Sequence, residues 1–174
     1  LSLDYRVDSK QKEGWNGFGK DFILYNHIKN FHHPYTDITG VVNEVKKRTD
    51  EEVEKNYFNG KVKVLPNLPH LFSRLRFNGI KICLTTEYSK NLCENIVENF
   101  GLKDSVDSYI SAEDFVMGKP YPYMTHYLMQ KHNIRSVENV AKIGDSLMDA
   151  TEGRNSGAGL VVGVLSGTGT RSDL

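Results

Sequence analysis

The second half of the chain switches repeatedly between two hydropathy periods, and few folds accommodate that alternation. GIKICLTT (79–86) is a β-rich apolar run expected to be buried on both faces, NLCENIVENF (91–100) is helical, and VDSYIS (106–111) is a short strand. The cycle then repeats: YMTHYLMQKH (123–132) reads as helix, NVAKIG (139–144) as strand, LMDATEGRN (147–155) as helix and GLVVGVL (159–165) as strand. Strand–helix–strand units at this spacing predict right-handed crossovers and an α/β fold with a parallel sheet.

The first half carries only helical periodicity, from Gly19 to about Tyr57. Phe22, Ile23, Ile28 and Phe31 mark one helix, and Ile38, Val41, Val42 and Val45 mark a second. Thr49 followed by Glu52 has the spacing of a capping box that opens a third helix, with Val53 and Tyr57 on its inner face. Pro66 and Pro69 bracket the junction between this small bundle and the alternating half.

The chain's 174 residues suffice for a modest core plus a small accessory domain. Lys plus Arg and Asp plus Glu both number 22, so no basic field points to nucleic acid or an anionic membrane. No apolar run approaches the length of a membrane span. Leu rather than Met opens the chain, so localisation is constrained only through Cys83 and Cys93. These read as buried free thiols of a reducing compartment, the cytoplasm.

In open parallel sheets ligands bind beyond the carboxyl ends of the strands, which directs attention to Thr85, Thr86 and Glu87, to 111–114, to 145–149 and to 166–168. Asp145 follows a strand end, where a carboxylate can reach a hard cation such as Mg²⁺, and Asp149 lies one helical turn on. The same residues read equally as a helix cap, with Asp145 or Ser146 capping and Asp149 favouring the N-terminal dipole. Thr86 ends the first strand, where a hydroxyl beside free backbone N–H groups suits a phosphate oxygen or caps a helix. Lys119, just before a proline-started helix, could neutralise phosphate and hold a carboxylate pair, or could simply be solvated.

Taken in order, Thr86, Lys119-Pro120 and GDSLMD resemble the second, third and fourth motifs of the haloacid dehalogenase superfamily of phosphohydrolases. GKPYPYM, KIGDSLMDATEGRNSG and VVGVLSGT narrow the resemblance to phosphonoacetaldehyde hydrolase (phosphonatase) and its phosphonatase-like relatives. The resemblance implies a Rossmannoid parallel-sheet core over 64–174 and a small α-helical cap over 1–63. It implies Asp145 as a direct Mg²⁺ ligand, with Asp149 supporting the metal site. Thr86 would bind the phosphoryl group, with Thr85 and Tyr88 beside it as substrate-binding candidates, and Lys119 would balance its charge. NGFGK resembles the family's cap loop and places Lys20 at its Schiff-base position. An iminium there would accept the carbanion charge of C–P cleavage, which requires a lysine with a depressed pKa. Read without the family, Lys20 is a solvated loop lysine.

Two residues depart from strict phosphonatase. Ile23 stands where the cap histidine is expected, and Glu87 where a small glycine is expected. The Glu87 charge would oppose phosphate unless it points away or faces a cation. The superfamily also needs an aspartate nucleophile at the end of its first core strand. Asp4 in LSLDYRVD is rejected for that role, because no Gly-Thr follows and it lies only sixteen positions before Lys20. The expected chain therefore lacks its nucleophile strand, has a short C-terminus and leaves a gap or an exposed parallel edge in the sheet.

These expectations define a phosphonatase-like hydrolase of a small phosphorylated or phosphonate substrate, acting through Mg²⁺ and an aspartyl-phosphate. A homodimer is compatible with the reading. The alternatives are a phosphoglycolate-type phosphatase and a catalytically inactive binding relative. A response-regulator receiver shares strand-end Asp, Thr and Lys but has neither the cap nor the GDSLMD spacing.

Overall fold

The structure is a computed structural model and describes Tyr25 and residues 37–174. Lys20, Asp4 and the first expected helix (Phe22, Ile23, Ile28 and Phe31) lie outside the described residues.

The helical half contributes α1 (Ile38–Asn56), with Asp37 as N-cap accepting the Gly40 N–H at 2.8 Å. One helix replaces the expected second and third. The Thr49 hydroxyl donates to the Val45 carbonyl at 2.7 Å, so Thr49 lies inside a helix instead of opening one. A π-helical turn (Tyr57–Lys61) follows and brings Tyr57 and Phe58 against Phe100, with ring centroids 6.3 and 6.1 Å apart.

Helix α2 (Leu68–Phe77) was not expected from the sequence. Its Pro69 lies in the first turn, where the missing N–H removes no intrahelical bond, and so starts a helix where the sequence suggested a junction. Leu68, Phe72 and Leu75 recur on its half-buried side. Gly79, at φ 74°, ends it in the left-handed region.

Four short strands then alternate with three helices: β1 (Cys83–Thr86), α3 (Lys90–Asn99), β2 (Ser108–Ser111), α4 (Tyr123–Lys131), β3 (Ala141–Gly144), α5 (Leu147–Ser156) and β4 (Leu160–Gly163). Each strand is shorter than its hydropathy run. β1 begins only at Cys83 because the Gly79 turn occupies the start of its run, and all four of its residues are half-buried, not enclosed on both faces. Both cysteines are free; Cys93 is buried and Cys83 half-buried.

β1 pairs parallel with β2, setting Thr86 opposite Ser111, and β3 pairs parallel with β4, setting Gly144 opposite Gly163. Among the described residues the two pairs share no ladder, so the edges of β1 and β3 are not hydrogen-bonded to each other. The main apolar cluster, Ile110, Met124 and Leu128, packs with Cys83, Ala112 and Phe115 between the β1/β2 pair and α4. Met124 is fully buried.

β3 inverts the expected pattern. Lys142 is 8% exposed and lies under α5, whereas its neighbour Ile143 is 59% exposed. Gly153 of α5 makes this possible, since a Cβ there would meet the Lys142 Cβ at 3.0 Å and Val161 at 2.8 Å.

Candidate active site at the strand ends

The β3–α5 turn realises the cap reading, with Ser146 and not Asp145 as the capping residue. Ser146 is the N-cap of α5 and accepts the Asp149 N–H at 3.2 Å; Asp149 completes the capping box through Oδ2, which accepts the Ser146 backbone N–H at 3.3 Å and also the Ser146 hydroxyl at 2.6 Å. The other oxygen, Oδ1, pairs with Lys119 Nζ at 2.7 Å, both side chains being about one-tenth exposed. Gly144 leaves the room this requires, because a Cβ there would overlap the Asp149 side chain. Burial pushes the Asp149 carboxyl upward, but the Lys119 charge and hydrogen bond, then Ser146 and Lys142, outweigh it and hold the pKa below the usual range.

Asp145 is thereby relieved of capping. Its Oδ2 accepts both the Thr168 backbone N–H, at 2.8 Å, and the Thr168 hydroxyl, at 3.1 Å. The Asp145 carbonyl accepts the Gly169 N–H at 2.7 Å, so the loop after β4 is folded around this residue. Gly167 is needed there, since any Cβ would run into the Asp145 carboxylate.

Across the mouth, the Thr86 hydroxyl accepts the Tyr88 N–H at 3.1 Å and so shapes the turn after β1. The Tyr88 hydroxyl meets that of Tyr57, from the helical half, at 3.2 Å, with the rings edge-to-face. Burial and then Tyr57 raise the Tyr88 pKa, and Asp145 adds to the shift, which places this phenol within the field of the β3 end. Two further contacts tie α1 to the strand-bearing half: Lys46 to Glu113 at 3.2 Å, and Asn95 to Glu54.

Glu87 faces a cation-bearing segment. Its Oε1 accepts the Lys119 backbone N–H at 2.7 Å, and it fills space that Gly118 leaves open, where a Cβ would lie 2.6 Å from the carboxylate. Burial raises its pKa; the Lys119 N–H and ammonium oppose the rise, and Glu152 and Asp149 reinforce it.

Sequence reasoning missed Lys142 and Glu152. Lys142 Nζ lies 2.5 Å from Glu152 Oε2, 2.8 Å from the Thr85 hydroxyl and 4.0 Å from Asp149 Oδ1. Glu152 is wholly buried; its Oε1 accepts the Thr125 hydroxyl at 3.0 Å, while Oε2 faces Lys142 as an ion pair without good hydrogen-bond direction. Burial lowers the Lys142 pKa against the opposing pull of Glu152, and Lys119 lowers it further. One signal was available: a lysine in a short strand whose neighbours are apolar is anomalous in a parallel sheet.

Among the described residues, Glu87, Asp145, Asp149 and Glu152 bring four carboxylates to this mouth against the ammoniums of Lys119 and Lys142, an excess a divalent cation would offset. Among the described residues no three His, Cys, Asp or Glu side chains converge on one point. Asp149 is committed to Lys119 and Ser146. Asp145 keeps Oδ1 outside its Thr168 bonds, an oxygen that could meet a cation. That donor set suits Mg²⁺, which retains several waters and is held by one or two carboxylates plus phosphate oxygens.

Parallel strands joined by helical crossovers, with a lysine–carboxylate pair and a second aspartate at their carboxyl ends, define an α/β protein and make those strand ends the candidate site. Comparison with known families makes the class specific. A family model described as haloacid dehalogenase-like hydrolase matches residues 7–157, and the chain belongs to that family. It is 30% identical over 105 residues to a phosphonoacetaldehyde hydrolase of Bacillus cereus, covering 60% of this chain and 39% of that protein. The chain thus spans about two-fifths of the length of this relative. Its fold matches a hydrolase from Pseudomonas syringae at TM-score 0.80 and 18% identity, over 98% of this chain and 75% of that one. It also matches a phosphonoacetaldehyde hydrolase-like protein from Oleispira antarctica at TM-score 0.75 and 19% identity, over 92% and 60% respectively. Among the described residues no helix is long and apolar enough to cross a membrane.

Proposed function

We propose that the full-length protein is a phosphonatase-like hydrolase that releases phosphate from a small phosphonate or phosphate substrate. The observation that carries this reading is the Lys119–Asp149 pair of 2.7 Å, seated beside Asp145 at the strand ends. Asp145 would hold Mg²⁺ and Asp149 would support that site by fixing Lys119, while the ion itself would supply charge neutralisation of the phosphoryl oxygens. Lys119 would balance the remaining substrate charge, and Thr86, with Thr85 and Tyr88 beside it, would bind the phosphoryl group. An aspartate nucleophile, to which none of the described residues is assigned, would attack phosphorus and form an aspartyl-phosphate that water then hydrolyses. Residues 1–63 would act as a helical cap over 64–174 and exclude water during the first transfer. Lys20 would form an iminium with an aldehyde substrate.

The test is release of inorganic phosphate from phosphonoacetaldehyde and from phosphoglycolate by the full-length protein with Mg²⁺. Asp145→Asn is expected to abolish turnover. Lys20→Arg is expected to abolish only the phosphonoacetaldehyde reaction, and unchanged turnover of that substrate would remove the Schiff-base role. Failure of the wild-type protein on both substrates would refute the hydrolase reading for these substrate classes.

A further inference from the structure

The β1/β2 and β3/β4 pairs are not joined by a ladder among the described residues, yet Thr86 and Asp145, which end β1 and β3, must keep a fixed separation if they are to act on one phosphoryl group. Among the described residues a side chain of β3 reaches directly across that interval to β1. Lys142 leaves the middle of β3, passes under α5 and donates to the Thr85 hydroxyl in β1 at 2.8 Å. Its ammonium is held by Glu152 at 2.5 Å, and Glu152 is in turn fixed by the Thr125 hydroxyl of α4 at 3.0 Å. The chain Thr85–Lys142–Glu152–Thr125 therefore links β1, β3, α5 and α4 through buried or half-buried groups.

We propose that Lys142 is a positioning residue: a buried brace that sets the Thr86 strand end against the Asp145–Asp149 turn. Three features support it. A charged group in this setting costs more to bury than an apolar side chain of the same length, so simple filling of the space does not explain a lysine here. The contact on Thr85 is directly adjacent to the phosphoryl-binding candidate. Lys142 also lies 4.0 Å from Asp149 Oδ1, on the oxygen that pairs with Lys119, so movement of the brace is transmitted to that pair. For its effect on catalysis, the proposal rests on the phosphoryl-transfer reading above; the bracing itself does not.

Lys142→Met alone would strand the wholly buried Glu152 carboxylate and can prevent folding. The informative variant is therefore Lys142→Met/Glu152→Gln, which removes both charges at nearly constant volume. Its reference is Glu152→Gln, which keeps volume and hydrogen-bonding capacity beside Lys142, whose amine can shed its proton in the buried site and still donate to Thr85. Two readouts are compared in the full-length protein: amide hydrogen exchange across 83–86 and 141–144, and steady-state kinetics. In the double variant, relative to the reference, exchange at Thr85 and Thr86 is expected to be about tenfold faster, with α3 unchanged. A drop in kcat/KM of at least about tenfold, carried mainly by kcat, is expected alongside. Equal exchange in the two variants overturns the brace. Faster exchange with unchanged kcat/KM overturns the positioning role and leaves only a structural one. If wild type turns over neither substrate, the functional reading fails, while the exchange comparison still decides whether Lys142 joins the strand pairs.

Discussion

Replacing Lys119 with Met retains the aliphatic stem and removes the ammonium 2.7 Å from Asp149. The loss is not that of a surface ion pair, because both side chains are about nine-tenths buried. Removing one partner of a buried pair costs about 3–5 kcal/mol, mostly the penalty of the stranded charge. Lys142, 4.0 Å from the same oxygen, and the Ser146 hydroxyl keep part of the compensation, so the lower end, about 3 kcal/mol, is expected. For a chain of this size that is roughly 6–12 °C in Tm. The pH dependence carries the sign of the argument. In wild type the folded-state Asp149 pKa is lowered, so its contribution to stability is present above the unfolded carboxylate pKa and is lost as pH falls through the folded value. In the variant, burial, the largest influence on Asp149, prevails and the folded pKa is raised. That penalty is full at neutral pH and relaxes as pH falls toward the unfolded value of about 4. Urea unfolding at pH 8 and pH 5 should therefore show the largest gap at pH 8 and a smaller one at pH 5. A variant as stable as wild type at pH 8, or a gap independent of pH, would refute the assignment of Asp149 as a charge held by Lys119.

Three further outcomes are expected. Glu87→Gln should be at least as stable as wild type near pH 7, by up to about 1 kcal/mol, because burial penalises the ionised carboxyl; the raised folded pKa means this advantage disappears below the unfolded value, as paired denaturation curves would reveal. Gly144→Ala should destabilise by about 1–3 kcal/mol and lower activity, since its methyl would displace Asp149, and a circular-dichroism melt equal to that of wild type would count against the packing described. Cys93, whose thiol burial pushes up to about 11, should resist a disulfide reagent at pH 8 in the native protein and react fully in urea; Cys83, also raised by burial, should react slowly.

The succession of strands and helices was readable because each segment's own period reports it. The rule that parallel strands present their carboxyl ends together directed attention to Thr86, Asp145 and Asp149, and Lys119 does meet Asp149. What escaped the sequence depends on partners distant along the chain or on ambiguous local codes. Thr49-x-x-Glu52 is a capping box by spacing, yet the Asp37 cap places the helix start twelve positions earlier. Pro69 signals an ending and a beginning equally well. Lys142 and Glu152 look like solvent-facing residues of a strand and a helix, because their burial is made tolerable only by each other and by Thr85 and Thr125. Glu87 was recognised as an anomaly, but its resolution, the Lys119 N–H thirty-two positions away, is a tertiary fact.

The division of the Asp149 carboxylate has a consequence for any anion that reaches Lys119. One oxygen secures the first turn of α5 and the other restrains the lysine, so helix end and ligand draw on the same group. By thermodynamic reciprocity, a ligand that attracts the ammonium changes the fraying equilibrium of that turn, and a sequence change that stiffens or loosens the turn changes the ligand's affinity by the same factor. The backbone amides of 147–149 are thus built-in reporters of occupancy: their signals should respond to anion binding even though none of them need touch the anion.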